Sequence, residues 1–147
     1  MSVPTPQACT RAFREHFPGT SDTPEVTATS KGRAELVWPV GPDHLRPDPS
    51  GGLPLVNGPA QMSLADIAAH VAVWTLHGID PMAVTSSLSI DFLRAARGRR
   101  LRAVADVAKA GRTLVVVNTR MFTEAREEPV SQAVVVYALP VARAQSE

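Results

Sequence analysis

The segment from Gly58 to Gly78 reads GPAQMSLADIAAHVAVWTLHG and decides the fold. It is rich in Ala, Leu, Met and Trp, and it contains no Gly or Pro between Pro59 and Gly78, which favours a buried helix over residues 60–77. Pro59 suits the first helical position, and Gly78 is a common C-terminal stop. At about 100° per residue, the helix has a broad apolar face and a narrow polar stripe formed by Ser63, Asp66, His70 and His77.

The segments on either side of this helix predict β-structure. Residues 26–38 alternate around a turn at Lys31-Gly32, which indicates a hairpin. Residues 39–59 contain six of the thirteen prolines and four of the nine glycines, so they form a long surface connection. Four runs after the helix are typical of long strands: 84–94, 99–109, 113–123 and 130–139. This order predicts an α+β fold, an antiparallel sheet wrapped around one long central helix.

Bulk composition limits the possible partners and compartments. The 147 residues have the length of one domain, and 44% hydrophobic with 20% charged residues is ordinary globular composition. A net charge of +1 provides no field that would attract nucleic acid or an anionic membrane. The single Cys9 excludes an intramolecular disulfide and makes the cytoplasm the default location. No apolar run reaches the roughly 18 residues of a membrane-spanning helix, and the N-terminus lacks the apolar core of a signal peptide.

Three sequence elements carry a resemblance to a known family. They are Asn57-Gly58-Pro59 followed by Leu64-Ala65-Asp66, then Ala83-Val84-Thr85 followed by Leu88-Ser89-Ile90-Asp91-Phe92-Leu93-Arg94, and the pair Gly111-Arg112. In their order and spacing, the chain resembles the PaaI-like thioesterases over roughly residues 25 to 139. The resemblance implies a hotdog fold and hydrolysis of acyl-CoA thioesters by a homodimer or a dimer of dimers, with active sites shared between subunits. It implies no metal and no organic cofactor, because coenzyme A enters as part of the substrate.

The chain divides into three parts under this interpretation. Residues 25–140 form the predicted hotdog thioesterase domain, and residues 141–147 form a C-terminal tail. Residues 1–24 mix Pro, Gly, Ser and Thr and are predicted to form a loosely attached N-terminal arm, with a helical turn around residues 8–16.

The resemblance assigns roles to three residues. Asp66 occupies the position of the family's nucleophile or general base, on the helix and facing the thioester carbonyl. Gly58 corresponds to the glycine whose backbone N–H is the oxyanion donor, at a helix N-terminus where free N–H groups and the helix dipole favour negative charge. Thr85 takes the position of a supporting hydroxyl. One carboxylate is enough to hydrolyse a thioester, provided that the oxyanion is also stabilised.

Two positions depart from the family's His-Gly-Gly element. Asn57 replaces the His and becomes a candidate for positioning water. Pro59 replaces the second Gly and removes one backbone donor, so we expect a weaker oxyanion hole. A noncatalytic acyl-CoA or small-ligand binding protein of the same fold is therefore the main alternative, and an assay of thioester hydrolysis separates the two. A hotdog dehydratase ranks last, because the spacing of Asp66 and His70 differs from the usual hydratase motif.

A dense basic cluster follows Phe92-Leu93 and includes Arg94, Arg97 and Arg99. Guanidinium groups suit phosphate, so these three residues, with Arg112 at another turn, are candidates for binding the phosphates of coenzyme A. The alternative is an ordinary solvated turn.

Several polar residues also have a structural explanation. Asp66 could face solvent or form a salt bridge, but its apolar neighbours favour a catalytic role because a buried carboxylate is costly. His70, one turn further, could contact Asp66, although a polar residue at a subunit contact is the favoured interpretation. The chain has no Gly-x-Ser-x-Gly element and no metal-binding spacing of His, which disfavours a serine hydrolase and a metal site.

Overall fold

The computed structural model describes residues 2–17 and 23–140. In chain order, its elements are α1 Pro6–His16, β1 Glu25–Ser30, β2 Arg33–Pro39, a 3₁₀ helix Pro42–His44, β3 Leu45–Arg46, β4 Leu55–Val56, α2 Gly58–His77, β5 Val84–Phe92, β6 Arg100–Ala110, β7 Leu114–Thr123 and β8 Ser131–Ala138. The tail predicted for residues 141–147 lies outside the described residues.

Six of the strands in the described ranges form one antiparallel sheet in the order β1-β2-β6-β7-β8-β5. Along β2, the buried residues Ala34, Leu36 and Trp38 alternate with less buried ones, so one face of the sheet packs on the core. Strands β3 and β4 form a separate two-residue ladder within the proline-rich connection. The α+β arrangement predicted from the sequence is confirmed.

Helix α2 packs against every strand of the six-stranded sheet. Six strands spaced by about 4.8 Å span about 24 Å, roughly twice the width of a helix, so all six touch α2 only because the sheet wraps around it. The side chains of Leu64, Val71 and Trp74 are fully buried. The helix is therefore the centre of the hydrophobic core rather than a surface element.

The ends of α2 are set by local backbone chemistry. Asn57 caps the N-terminus, where its Oδ1 accepts a hydrogen bond from the N–H of Ala60 at 2.9 Å. Gly78 ends the helix with φ of 81°, a left-handed conformation that favours glycine, and its N–H donates to Trp74 O. The helix predicted for residues 60–77 is confirmed and begins slightly earlier, at Gly58.

Helix α1 covers one edge of the sheet. Thr10 Oγ1 accepts a hydrogen bond from the N–H of Val26 in β1 at 3.0 Å, and its hydroxyl donates to Pro6 O. Cys9 and Phe13 of α1 are buried in the common core. The helix is thus attached more closely than a loose arm would be, because its apolar face completes the core. The predicted boundary between residues 1–24 and the rest of the chain stays a prediction.

Strand β5 is the opposite edge of the sheet, and no strand or helix within the described ranges pairs with its outer side. Its ends expose apolar side chains, with Val84 59% and Phe92 50% accessible. An unpaired edge strand of nine residues leaves backbone N–H and C=O groups available for pairing with another chain.

Neither helix in the described part of the chain has the length and apolar character needed to cross a membrane.

We expect Leu64→Ala to lower the free energy of unfolding by about 2–5 kcal/mol, because it leaves a cavity where α2 meets the sheet. Leu114→Ala makes the same truncation at a side chain that is 47% exposed, and should change stability by about 0.5 kcal/mol or less. Urea unfolding at one fixed protein concentration measures both. Equal losses would contradict the central place of α2 in the core.

Candidate active site

Asp66 lies near the middle of α2, half-buried, and its carboxylate is fixed by two hydroxyl groups. Thr85 Oγ1 donates to Asp66 Oδ1 at 2.7 Å, and the Tyr137 hydroxyl donates to the same oxygen at 2.8 Å. Among residues 2–17 and 23–140, Asp66 forms no salt bridge with Lys or Arg. The carboxylate is thus held by neutral donors rather than neutralised by a cation.

A bulge in β5 directs Thr85 toward α2. Leu88 and Ile90 pack toward the core, so simple alternation would place Ser86 on that side and Thr85 on the other. The pairing of β5 with β8 slips by one residue between Thr85 and Ser87, which restores Thr85 to the helix side. Thr85, predicted to support the carboxylate, is therefore brought to Asp66.

Tyr137 sits directly opposite Thr85 in the pairing of β5 with β8 and is buried. Its ring stacks on His70 with centroids 4.8 Å apart. Burial and the negative charge of Asp66 raise the pKa of the Tyr137 phenol well above its ordinary value. The hydroxyl therefore stays protonated and acts as a hydrogen-bond donor to Asp66.

His70 does not form a hydrogen bond with Asp66. Its Nε2 lies 3.3 Å from Asp80 O, and its ring also packs against Trp74. Burial lowers the pKa of His70, and this outweighs the raising effects of the Asp80 carbonyl and the Asp66 charge. The neutral imidazole is therefore a packing surface for the Tyr137 ring.

A cavity of about 290 Å³ opens beside Asp66. Its other lining residues are mostly aromatic or aliphatic and come from α1 and its C-cap, α2, the connection before β5, the start of β5, and β8: Phe13, Phe17, Ile67, His70, Pro81, Ala83, Val84, Thr85 and Tyr137. Asp66 is the one carboxylate in this lining.

Among the described residues, one amide at the N-terminus of α2 has no hydrogen-bond acceptor. Pro59 has no N–H, and the N–H groups of Ala60 and Gln61 donate to the Asn57 side chain and carbonyl. Gly58 is the first helical residue, so its N–H has no intrahelical acceptor. Asn57, predicted to position water, uses its side-chain oxygen as the helix cap instead and has only its amide NH₂ left for that role.

A second cavity, of about 380 Å³, adjoins Gly58. It is lined by Arg46, Arg94 and Phe92, among others. A Cβ added at Gly58 would lie 3.2 Å from Phe92 Cζ, so the glycine allows a close approach of the ring. This region could bind an anion, because two guanidinium groups and a helix N-terminus meet there.

The four predicted arginines occupy four different environments. Arg94 lines the second cavity and donates to Pro129 O at 2.6 Å, whereas Arg97 forms a salt bridge with Asp48. Arg99 lies just before β6, and Arg112 lies beyond its far end, about 33 Å away along the strand. Arg112 is therefore not part of the same cluster within one chain.

In one chain, Gly58 and Asp66 are separated by two turns of α2, about 12 Å along the helix axis. They border different cavities. The two predicted chemical groups are thus present but not adjacent within a single subunit.

Sequence reasoning did not identify Tyr137, Arg46 or the pairing of Asp48 with Arg97. The alternation of β8 predicts a buried position for Tyr137, and a buried phenol requires a hydrogen-bond partner. Nothing in the local sequence identifies that partner, because Tyr137 and Asp66 are 71 residues apart.

The described residues contain no group of three or more His, Cys, Asp and Glu side chains placed to hold a metal ion.

A central helix wrapped by an antiparallel sheet, with a carboxylate on that helix facing an apolar cavity, defines a hotdog-fold protein with a candidate hydrolytic site. The family model described as the thioesterase superfamily matches residues 53–130. A putative thioesterase from Silicibacter sp. TM1040 is 32% identical, with a TM-score of 0.82 over 96% of this chain and 95% of that chain. The chain belongs to the thioesterase superfamily. The predicted hotdog fold is confirmed, and the PaaI-like resemblance is consistent with this membership.

Other solved structures show the same fold. A conserved protein from Pseudomonas aeruginosa is 25% identical, with a TM-score of 0.70 over 85% of this chain and 97% of that chain. Zebra fish thioesterase superfamily member 2 is 23% identical, with a TM-score of 0.75 over 93% and 99% of the two chains. The comparison with curated proteins found no match.

Glu124 holds the arginine-rich turn, since its carboxylate accepts hydrogen bonds from the N–H groups of Arg99 and Arg100 at 3.0–3.1 Å. Burial raises the pKa of Glu124, but these donors outweigh it and leave the pKa below the ordinary 4.5. Because a carboxyl group with a lowered pKa stabilises the fold above its ordinary pKa, we expect Glu124→Gln to reduce Tm at neutral pH. The difference from wild type should shrink as the pH falls below about 4.5.

Thermal unfolding across this pH range measures the effect, with Glu127→Gln in the same connection as the matched control. A Tm difference that does not depend on pH would contradict a role for the Glu124 charge.

Proposed function

We propose that this protein hydrolyses acyl-CoA thioesters to the free acid and CoA, with Asp66 as general base or nucleophile. The observation that carries the proposal is the Asp66 carboxylate, held by Thr85 and Tyr137 at the wall of an apolar cavity. A structural aspartate would be expected to pair with a cation or face open solvent. A carboxylate at the wall of an apolar pocket is instead suited to chemistry on a bound substrate.

The acyl group would lie in the cavity beside Asp66. Phe13 of α1, Phe17 at the C-cap of α1 and Ile67 of α2 line it with apolar surface, which fits an acyl chain or ring better than a polar group. The thioester carbonyl carbon would then be within reach of the carboxylate.

The reaction requires two events at the thioester carbonyl. Asp66 takes a proton from water as the water oxygen attacks the carbonyl carbon, or it attacks directly and water later cleaves the anhydride. Negative charge develops on the carbonyl oxygen, where a backbone N–H at a helix N-terminus stabilises it. Collapse of the intermediate breaks the C–S bond, and the CoA thiolate leaves and takes up a proton. Gly58 is the proposed oxyanion donor.

A homodimer formed through β5 would bring these groups together. Antiparallel pairing of two β5 edges centred on Leu88 would set Thr85 opposite Asp91 of the partner subunit, and Val84 opposite Phe92 of the partner subunit. Since Phe92 contacts Gly58 within each chain, the partner's Gly58 would lie beside Asp66. The exposed apolar side chains of β5 would be covered by the same pairing. A dimer of dimers remains compatible with this arrangement.

The phosphates of coenzyme A would bind near the helix N-terminus. Arg94 borders the cavity at Gly58, and Arg46, which sequence reasoning missed, borders it too. The end of the sheet that carries Thr85 also carries Arg112, so β5 pairing would bring Arg112 toward the partner's Arg94. Arg99 borders the turn held by Glu124, and Arg97 is a weaker candidate because Asp48 already pairs with it.

The alternative is a noncatalytic acyl-CoA or small-ligand binding protein. One observation favours it: the Asn57 side-chain oxygen is occupied as a helix cap, and Pro59 supplies no donor. The hydrolysis assay below decides between the two functions.

Coenzyme A would enter and leave with the substrate, so the proposal requires no separate cofactor, metal, nucleic acid or membrane partner. The cytoplasm is the proposed location, on the basis of the single Cys9, which is buried.

We expect Asp66→Asn to reduce kcat by about 10²–10⁴-fold while leaving the fold intact, because the amide retains the shape but cannot accept the proton or attack. Free-thiol release from a panel of short-chain, medium-chain and aryl-CoA thioesters measures the effect. Asp43→Asn, at an exposed aspartate of the 3₁₀ helix, is the matched control. Thiol release by a folded Asp66→Asn variant at the wild-type rate would refute the proposal, and binding without turnover by the wild-type protein would favour the noncatalytic alternative.

We expect two inactive variants to restore activity when they are mixed in one dimer. Gly58→Pro removes the proposed oxyanion N–H while suiting the first helical position, although the Phe92 ring must shift slightly. A heterodimer of Asp66→Asn and Gly58→Pro subunits contains one site with intact Asp66 and intact Gly58 from different chains. Co-expression with two affinity tags isolates it, and thiol release measures it.

A heterodimer as inactive as both parents would show that each site is built from one chain. Homodimers of each parent, purified in the same way, are the controls.

A further inference from the structure

We propose that Tyr137 is a positioning residue that, together with Thr85, occupies one oxygen of the Asp66 carboxylate and leaves Oδ2 as the single reactive oxygen. This proposal rests on the proposed function. It adds which oxygen of Asp66 performs the chemistry and which side chain selects that oxygen.

The hydrogen bonds are unequally divided between the two carboxylate oxygens. Oδ1 accepts from Thr85 at 2.7 Å and from Tyr137 at 2.8 Å, and within the described residues no donor contacts Oδ2. Two donors on Oδ1 stop rotation of the carboxylate about its terminal torsion, which is otherwise broad. They also hold Oδ1 back from the reaction, because its lone pairs are already in use.

The two donors have a common structural origin. Thr85 and Tyr137 are directly opposed across β5 and β8, and such pairs hold their Cβ atoms about 5 Å apart. The bulge after Thr85 turns its hydroxyl to the same side as the Tyr137 ring. One carboxylate oxygen therefore fits between two hydroxyls that the sheet register has placed together.

Tyr137 is held in place by other contacts besides its hydrogen bond to Oδ1. Its hydroxyl also lies 3.0 Å from the backbone oxygen of Asp66, so it contacts both the helix and the side chain. Its ring is 3% exposed and stacks on His70, which is itself held against the Asp80 carbonyl. A phenol on a rigid ring places its donor with little conformational freedom.

A purely structural role predicts a different outcome from a positioning role. If Tyr137 only linked β8 to α2, loss of its hydroxyl would lower stability without changing turnover or its pH dependence. If it positions Asp66, the same loss lowers kcat and leaves KM nearly unchanged, because the Tyr137 hydroxyl contacts Asp66 and its aromatic ring is retained in the variant.

The test compares wild type, Tyr137→Phe, Thr85→Val and Thr85→Ser in the intact protein with the best thioester of the panel. We expect Tyr137→Phe to reduce kcat by about 10- to 100-fold, the value of a hydrogen bond to a charged group, with KM within about twofold. The acid limb of kcat against pH should move to higher pH, because a carboxylate that loses a donor to its charged form holds its proton more tightly. Thr85→Val should act in the same direction, and Thr85→Ser, which keeps the hydroxyl, should restore the wild-type profile.

Thr119→Val is the matched control. It removes a hydroxyl that is 1% exposed in the same sheet and has no hydrogen-bond partner among the described residues. Its kcat and its pH profile should both equal those of wild type.

Carboxyl-carbon NMR of Asp66 distinguishes failure of the positioning proposal from failure of the proposed function. It reads the titration of this carboxyl directly and separates it from His70, the neighbouring titratable group, and from Asp80 behind it. If wild type hydrolyses thioesters and Tyr137→Phe changes neither kcat nor the Asp66 titration, the positioning role is overturned while the thioesterase proposal stands. If wild type hydrolyses no thioester, a titration moved to higher pH in Tyr137→Phe still supports the positioning role, and an unchanged titration overturns it.

Discussion

The burial of α2 inside the sheet is the constraint on which the rest of the structure depends. The helix has no wide polar face, so it is stable only where apolar surface surrounds it, and the sheet wraps around it to provide that surface. Asp66 is held in this apolar setting by its place on the helix. Its charge must then be compensated by neighbours, and Thr85 and Tyr137 are the neighbours that the sheet supplies.

The same helix places an unpaired backbone donor at its start and the carboxylate two turns later. Both groups belong to one rigid element, but about 12 Å separates them along its axis, which is too far for a single carbonyl group to contact both. This spacing explains why a site shared between two subunits is attractive on physical grounds. The exposed β5 edge, with its apolar ends, is the surface through which two such helices could be brought together.

Several polar residues around the site have side chains that also stabilise the fold. The side-chain oxygens of Asn57 and Glu124 accept hydrogen bonds from backbone N–H groups, and Arg97 forms a salt bridge with Asp48. Arg46 and Arg94 border the cavity at Gly58. Within the predicted basic cluster, Arg97 is therefore paired with a carboxylate, whereas Arg94 borders the cavity and donates a hydrogen bond to Pro129 O.

Several features were determined by the sequence alone because they depend on local patterns: the α2 helix over residues 60–77 with its Gly78 stop, the long strands, the α+β class, and Asp66 as a carboxylate on the polar stripe of that helix. The motif order also indicated the family. The tertiary structure decided the rest, since those features depend on contacts between distant residues. The β5 bulge that turns Thr85, the meeting of Tyr137 with Asp66 across 71 residues, and the pairing of Arg97 with Asp48 leave no local signal in the chain. Strand register and packing fix them, and a one-residue change in register would place the Thr85 side chain on the opposite face of the sheet.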